Sequence, residues 1–203
     1  MKKIIVAIVV LLITAGAVAF VVARNYNYHR NVTVLIQPFD DISPQQVKQV
    51  FNEVKLLHPN TILAAPIKLP PGSYYQPRGR YRADSIIKWL SARTPAGHTT
   101  IALTSKDIST TKGSVKDWGV MGLGYRPGNA CVVSTYRLAR KNQQDQFYKV
   151  CIHELGHTQG LPHCKNKTCY MRDAEGGNPL DNEHDFCPDC KSILLDCGWS
   201  LAN

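Results

Sequence analysis

His153, Glu154, His157, Gly160 and His163 place three imidazoles, a carboxylate and a glycine at the spacings that metal-assisted hydrolysis requires, in the run HELGHTQGLPH. On an α-helix His153 and His157 lie one above the other on one face, with Glu154 turned by about 100° along the same flank. Gly160 can take φ > 0, which ends the helix and swings the chain so that His163 reaches the same metal from another side. Pro162 stiffens that turn. Three neutral imidazoles leave a tetrahedral Zn²⁺ one position for water, the plan of a catalytic site rather than a structural one. Zinc would lower the pKa of that water toward about 7 and polarise a carbonyl, and Glu154 is placed to take the water's proton and pass it to the leaving amine. A chance match to these five positions has odds of about one in a hundred thousand, so a core helix that happens to carry histidines competes poorly.

Four cysteines follow at once. Cys164, Cys169, Cys187 and Cys190 read C-x4-C, a gap of seventeen residues, then C-x2-C, spacing suited to a closed zinc site with four thiolates. Two disulfides or free buried thiols are the competing reading, and the second pair alone would also suit a redox motif. His163 and Cys164 are adjacent, so in an extended segment their side chains point to opposite sides, one to each metal.

Together these positions resemble the archaemetzincins, a metzincin family with the pattern HExxHxxGxxxCxxxxCxM and, after a spacer, CxxC. The resemblance implies that His153, His157 and His163 bind a catalytic zinc, that Glu154 is the general base, and that Cys164, Cys169, Cys187 and Cys190 hold a second, structural zinc. Met171 would be the Met-turn methionine beneath the catalytic metal, a packing residue. The family also implies an antiparallel edge strand that pairs with extended substrate, placed here near Gly119 to Gly124. Gly119, Val120, Met121 and Gly122 are its candidate substrate-binding residues. Fifteen residues separate Met171 from Cys187, slightly fewer than the family pattern, which points to a short deletion beside the specificity pocket. The motif resemblance covers residues 153 to 194; upstream it rests on element order.

The elements that must position these residues are legible in outline. Val32 to Phe39 reads as a buried strand, followed by a helix with Ser43 as N-cap, Pro44 at its first position and Gln46 completing a capping box. Val47, Val50, Phe51, Val54 and Leu57 give that helix an apolar stripe, and His58-Pro59-Asn60 ends it. Residues 61 to 69 predict a second strand, Pro70 to Arg80 a loop, Ala83 to Ala92 a helix and Thr99 to Thr104 a third strand. Trp118 to Tyr125 and Asn129 to Ser134 predict a hairpin at an edge. On the active-site helix Tyr148, Ile152 and Leu155 should pack on the core, opposite the ligands. The β-α-β-α-β order predicts an α/β (α+β) fold, a twisted, mixed and mostly parallel sheet with the active-site helix beneath it, and the resemblance implies that it is of zincin or metzincin type.

Residues 1–23 stand apart from this domain. Ile4 to Ala23 are twenty consecutive uncharged residues, almost all apolar, long enough at ~1.5 Å per residue to cross a bilayer. An uncleaved N-terminal transmembrane signal anchor is the favoured reading, with Ala17-Val18-Ala19 as the cleavage site of the alternative, a signal peptide. Lys2 and Lys3 would stay inside, placing the catalytic domain outside the cytoplasm, although Arg24 and Arg30 weaken that charge bias. Residues 24–31 form a linker and residues 32–203 one catalytic domain, expected to act as a monomer. In an exported protein, zinc would shield four of the seven cysteines from oxidation, and Cys131, Cys151 and Cys197 read as buried thiols.

The net charge of +9 is scattered, with a modest cluster at Arg78, Arg80 and Arg82 that reads as solvated surface; no recognition motif accompanies it, and nucleic acid is not an expected partner. His184 and Asp185 read as loop surface near the substrate pocket. The sequence therefore predicts a two-zinc metallopeptidase that attacks peptide bonds with zinc-bound water. The alternative is a zinc-stabilised peptide-binding protein with little turnover, against which the intact Glu154 argues.

Overall fold

Val34, Ile36 and Pro38 are buried on one side of a strand whose alternate residues are half-covered, the period of two that a sheet imposes. This strand, β1 (Thr33–Pro38), opens a computed structural model that describes residues 32–201. After it come α1 (Pro44–Leu57), β2 (Thr61–Leu63), β3 (Tyr74–Tyr75), β4 (Arg80–Arg82), α2 (Ala83–Ser91), β5 (His98–Thr104), β6 (Ile108–Lys112) and β7 (Val115–Val120). The rest of the domain supplies β8 (Gly122–Gly124), β9 (Ala130–Ser134), α3 (Gln143–Thr158) and α4 (Pro188–Asp196).

The main sheet has the order β2-β1-β5-β9-β8. Its first four strands are parallel and β8 runs antiparallel to β9, in the register Gly122–Val133, Leu123–Val132 and Gly124–Cys131. The two central strands are covered on both faces, and alternate residues serve separate cores. Ile101, Leu103, Cys131 and Val133 pack with α1 and α3, whereas Ala102, Ala130 and Val132 pack with Ile86, Ile87 and Leu90 of α2. The expected mixed, mostly parallel sheet with the active-site helix against it is thus present. Helix α3 turns Ile152 and Leu155 fully inward and leaves Tyr148 partly buried at the margin of the same core.

Helix α1 begins as the sequence predicts: the Ser43 Oγ accepts from the Gln46 N–H at 3.2 Å, a cap worth about 1 kcal/mol. The reciprocal half of the box differs, because the Gln46 Oε1 takes the Ser43 hydroxyl proton instead of reaching the Ser43 N–H. Its end is the expected one, the His58 N–H closing on the Val54 carbonyl at 2.8 Å.

Two predictions need correction. The second strand stops at Leu63 and resumes only as a lone bridge between Phe39 and Ile67, since Pro66 lacks the N–H that a continuing ladder needs. The stretch Pro70 to Arg80 is not simply a loop: it contains β3, part of a second sheet of order β3-β4-β6-β7. Charge pairing holds that sheet. Arg80 reaches Asp107 at 2.6 Å and Asp117 at 2.9 Å, and Arg137 reaches Asp107 at 2.8 Å. The arginine cluster is therefore partly a set of internal ties, with Arg80 largely covered.

Among the described residues no helix is long and apolar enough to cross a membrane. The segment read as an anchor, and the linker after it, lie outside the described residues.

Candidate active site and cysteine centre

Helix α3 carries His153, Glu154 and His157 on its last two turns and ends where Gly160, at φ 97°, reverses the chain. The Gly160 and Leu161 N–H groups bond the His157 and Gly156 carbonyls, satisfying the helix end and delivering the extended segment that carries His163. One nitrogen from each imidazole then lies within 4.8 Å of the others, and the ring centroids are 4.6, 4.8 and 5.4 Å apart.

The second nitrogen of each ring is spoken for. The Nδ1 of His153 sits 2.6 Å from the Tyr170 carbonyl oxygen and that of His157 2.8 Å from the Leu161 carbonyl oxygen. A carbonyl only accepts, so both Nδ1 atoms carry the proton and both Nε2 lone pairs face the shared space. His163 directs its Nδ1 to the Asp173 carboxylate at 3.1 Å. Oxygen partners of this kind fix tautomer and ring orientation at a metal centre. Burial, then the neighbouring His157 ring, pushes the His153 pKa down to about 3, and burial lowers that of His157 too. Both rings are neutral at pH 7, the state a metal requires, so this donor set fits zinc.

Glu154 is 7% exposed, and burial pushes its carboxyl up to about 8 against the opposing hydrogen bond from the Gly124 N–H. It lies directly under β8. A Cβ on Gly122 would stand 2.6 Å from the Glu154 Cγ and Oε1, and one on Gly124 2.8 Å from its carbonyl oxygen. The edge strand is glycine at both positions because Glu154 passes beneath it. On the other side of the ligand helix Met171 is fully buried, and a Cβ on Gly156 would meet its Sδ at 2.5 Å. Met171 therefore packs against the helix backbone between the two ligand turns, where a Met-turn residue is expected.

The sulfur atoms of Cys164, Cys169, Cys187 and Cys190 also fall within 4.8 Å of one another, with the Cys164 and Cys187 sulfurs 3.6 Å apart. A tetrahedron of ~2.3 Å zinc–sulfur bonds has edges of about 3.8 Å, so the quartet fits zinc and needs little closure. Backbone N–H groups of Asn166, Met171 and Cys187 point at the Cys164 and Cys169 sulfurs from 3.3 to 3.5 Å, ready to stabilise thiolates. None of the four cysteines is in a disulfide. Two strips of backbone join this centre to the histidines: His163-Cys164, as the sequence suggests, and Cys169 to Asp173. The second strip gives Cys169 to the sulfurs, the Tyr170 carbonyl to His153 and the Asp173 carboxylate to His163.

A model described as peptidase family M54 matches residues 26–195 of this chain. The chain belongs to peptidase family M54. The archaemetzincin of Halobacterium salinarum is 30% identical over 174 residues, covering 79% of this chain and 98% of that protein. The archaemetzincin of Haloquadratum walsbyi is 32% identical over 139 residues, covering 62% of this chain and 78% of that protein. The crystal structure of archaemetzincin from Archaeoglobus fulgidus superposes with a TM-score of 0.68 at 26% identity, covering 79% of this chain and 98% of the other. That from Methanopyrus kandleri gives 0.70 at 24% identity, covering 83% and 96%, a likeness of fold. The chain is accordingly a zinc metallopeptidase of the archaemetzincin type.

Within this M54 fold the edge-strand assignment is corrected. Gly119 and Val120 belong to β7 of the second sheet, opposite Ser109 and Ile108, and only Gly122 lies in β8 of the main sheet. Met121 is the crossing point, its carbonyl accepting the Ser134 N–H at 2.8 Å. All four residues still line a cleft of about 640 Å³ that runs over the histidines. The glycine pattern hid the break, because glycine serves a strand, a bend and a close approach alike.

Sequence reasoning missed several residues. Gln146, buried on α3, accepts from the Ala139 and Asn178 nitrogens and donates to Asp181 at 2.7 Å, fixing the far wall of the cleft. His184 and Asp185 do not line the cleft: Asp185 pairs with Lys191 at 2.6 Å, and Glu183, one residue earlier, is the group in the wall. Asp173, two residues after Met171, could have been found by looking for a carboxylate beside a ligand.

Proposed function

We propose that this chain hydrolyses peptide bonds at the three-histidine site with Glu154 as general base, and that it holds two zinc ions, one catalytic and one in the cysteine centre. The observation that carries the reading is the buried Glu154 carboxylate, set between the neutral ligand rings and the edge of β8. His153, His157 and His163 would hold the zinc, which would supply Lewis acidity toward the carbonyl and make water acidic enough to give up a proton near neutrality. Glu154 would receive that proton and return it to the departing amine. The Gly124 N–H keeps the carboxylate oriented throughout. The free edge of β8 offers backbone groups to an extended peptide, which would be held without demanding one sequence.

The apolar run Ile4 to Ala23 supports a domain that works outside the cytoplasm, tethered to the membrane or released from it. Cleavage of a peptide library by the zinc-loaded chain, with Glu154→Ala as control, tests the reaction. We expect the variant to retain its zinc and lose at least about a thousandfold in rate. Undiminished cleavage by Glu154→Ala would overturn the mechanism.

A further inference from the structure

The lining of the cleft contains an acid that the reaction does not use. Glu183 is 1% exposed, lines the cleft with Val150 and Leu180, and its Oε2 has no hydrogen-bond partner. A buried carboxylate oxygen without a partner costs free energy, and nothing in the hydrolytic site repays it.

The nearby cations do not answer this need. Lys149, buried on α3, gives its ammonium to the Leu180 carbonyl at 3.0 Å and to Asp145 at 2.7 Å, and it does not line the cleft. Arg172 donates to the Lys167 carbonyl at 3.3 Å. Glu183 is therefore an acid that the cleft lining can offer to a guest. Val150 and Leu180 beside it can cover the methylene stem of a long side chain whose charge lies at the tip.

We propose that Glu183 makes this cleft selective for peptides carrying a lysine or arginine next to the scissile bond, the basic side chain ending on the Glu183 carboxylate. The assignment rests on the peptidase reading above and adds the substrate class to it. Burial pushes the Glu183 carboxyl up to about 7, with Lys149 and Arg172 opposing, so the group is close to its charge transition and a cationic guest would draw it to the carboxylate. An acidic guest would meet like charge, and an aliphatic one would leave the Oε2 unpartnered.

The test uses peptides that differ only in the residues flanking the cleaved bond, with lysine, arginine, leucine or glutamate in turn. Cleavage is measured with the zinc-loaded full chain, and binding with its Glu154→Ala variant. We expect lysine and arginine peptides to exceed leucine by about tenfold or more in kcat/KM and in affinity. Glu183→Gln should bring the ratio to within about threefold. Glu183→Leu, which fills the same space without charge, should reverse it in favour of leucine. Preference for lysine that survives both variants overturns the proposal, as does binding without regard to charge or no binding at all. Failure of the peptidase reading looks different: no peptide is cut, while the charge preference in binding persists.

Discussion

The histidine site and the cysteine centre share the backbone from His163 to Asp173 yet are put together in opposite ways. Each ligand imidazole has an oxygen on its Nδ1, two of the three stand on a helix packed into the core, and His153 and His157 are already neutral. The cysteine sulfurs come from loops and the first turn of α4, with N–H groups aimed at them. Burial pushes Cys169 up to about 11 and raises Cys190 as well, so metal must displace their protons. Cys187 differs: burial would raise it, but hydrogen bonds from Cys190 and its neighbours outweigh that and lower it. On the two-zinc proposal, packing prepares the first site for its metal, whereas metal would complete the second. This division suits their work, since a hydrolytic centre must keep one position open and a structural one must not.

Breaking each site in turn should separate the two most sharply. Cys169→Ser is expected to cost about 3–5 kcal/mol, or on the order of 10 °C or more in thermal midpoint, and to loosen the histidine site through Tyr170 and Asp173. His153→Ala should abolish hydrolysis with a much smaller loss of stability. Equal losses in the two melting curves would erase the distinction.

Next in size is Gly122→Ala. The added methyl displaces Glu154 without touching a ligand, and we expect a fall in kcat of about ten- to a hundredfold at unchanged zinc content. Unaltered kcat would mean that the carboxylate has room that the structure does not show.

Asp173→Asn should weaken zinc at the histidine site by about ten- to a hundredfold and leave the cysteine centre unaffected, as competition with a chelator can measure. The smallest effect is in pH. Cys169 is protonated at pH 7 and His153 is not, so raising pH from about 6 to 8 should strengthen zinc at the cysteines more than at the histidines. Calorimetry in buffers of different ionisation enthalpy would count the protons released; equal release from both sites contradicts the assignment.

The two centres were legible in the sequence because their ligands fall at short, fixed spacings: four residues on a helix, a glycine turn, adjacent His163 and Cys164. The main parallel sheet was legible for a related reason, since β9 is an almost continuous apolar run and β5 carries Ile101, Ala102 and Leu103 together. The second sheet was not, because β3 and β4 are two and three residues long and rely on Arg80 meeting Asp107 and Asp117 across long stretches of chain. Gly122 and Glu154 are thirty-two residues apart, and only the folded backbone explains why the edge strand lacks side chains there. Glu183 escaped notice because nothing local distinguishes it from His184 and Asp185, which face away from the cleft wall.

Metal analysis combined with thiol titration decides whether one chain holds two zincs with separate tasks. Two zincs per chain are expected in the wild type and in Glu154→Ala, with no disulfide among Cys164, Cys169, Cys187 and Cys190. One zinc per chain, with those four cysteines joined in two disulfides, would contradict it.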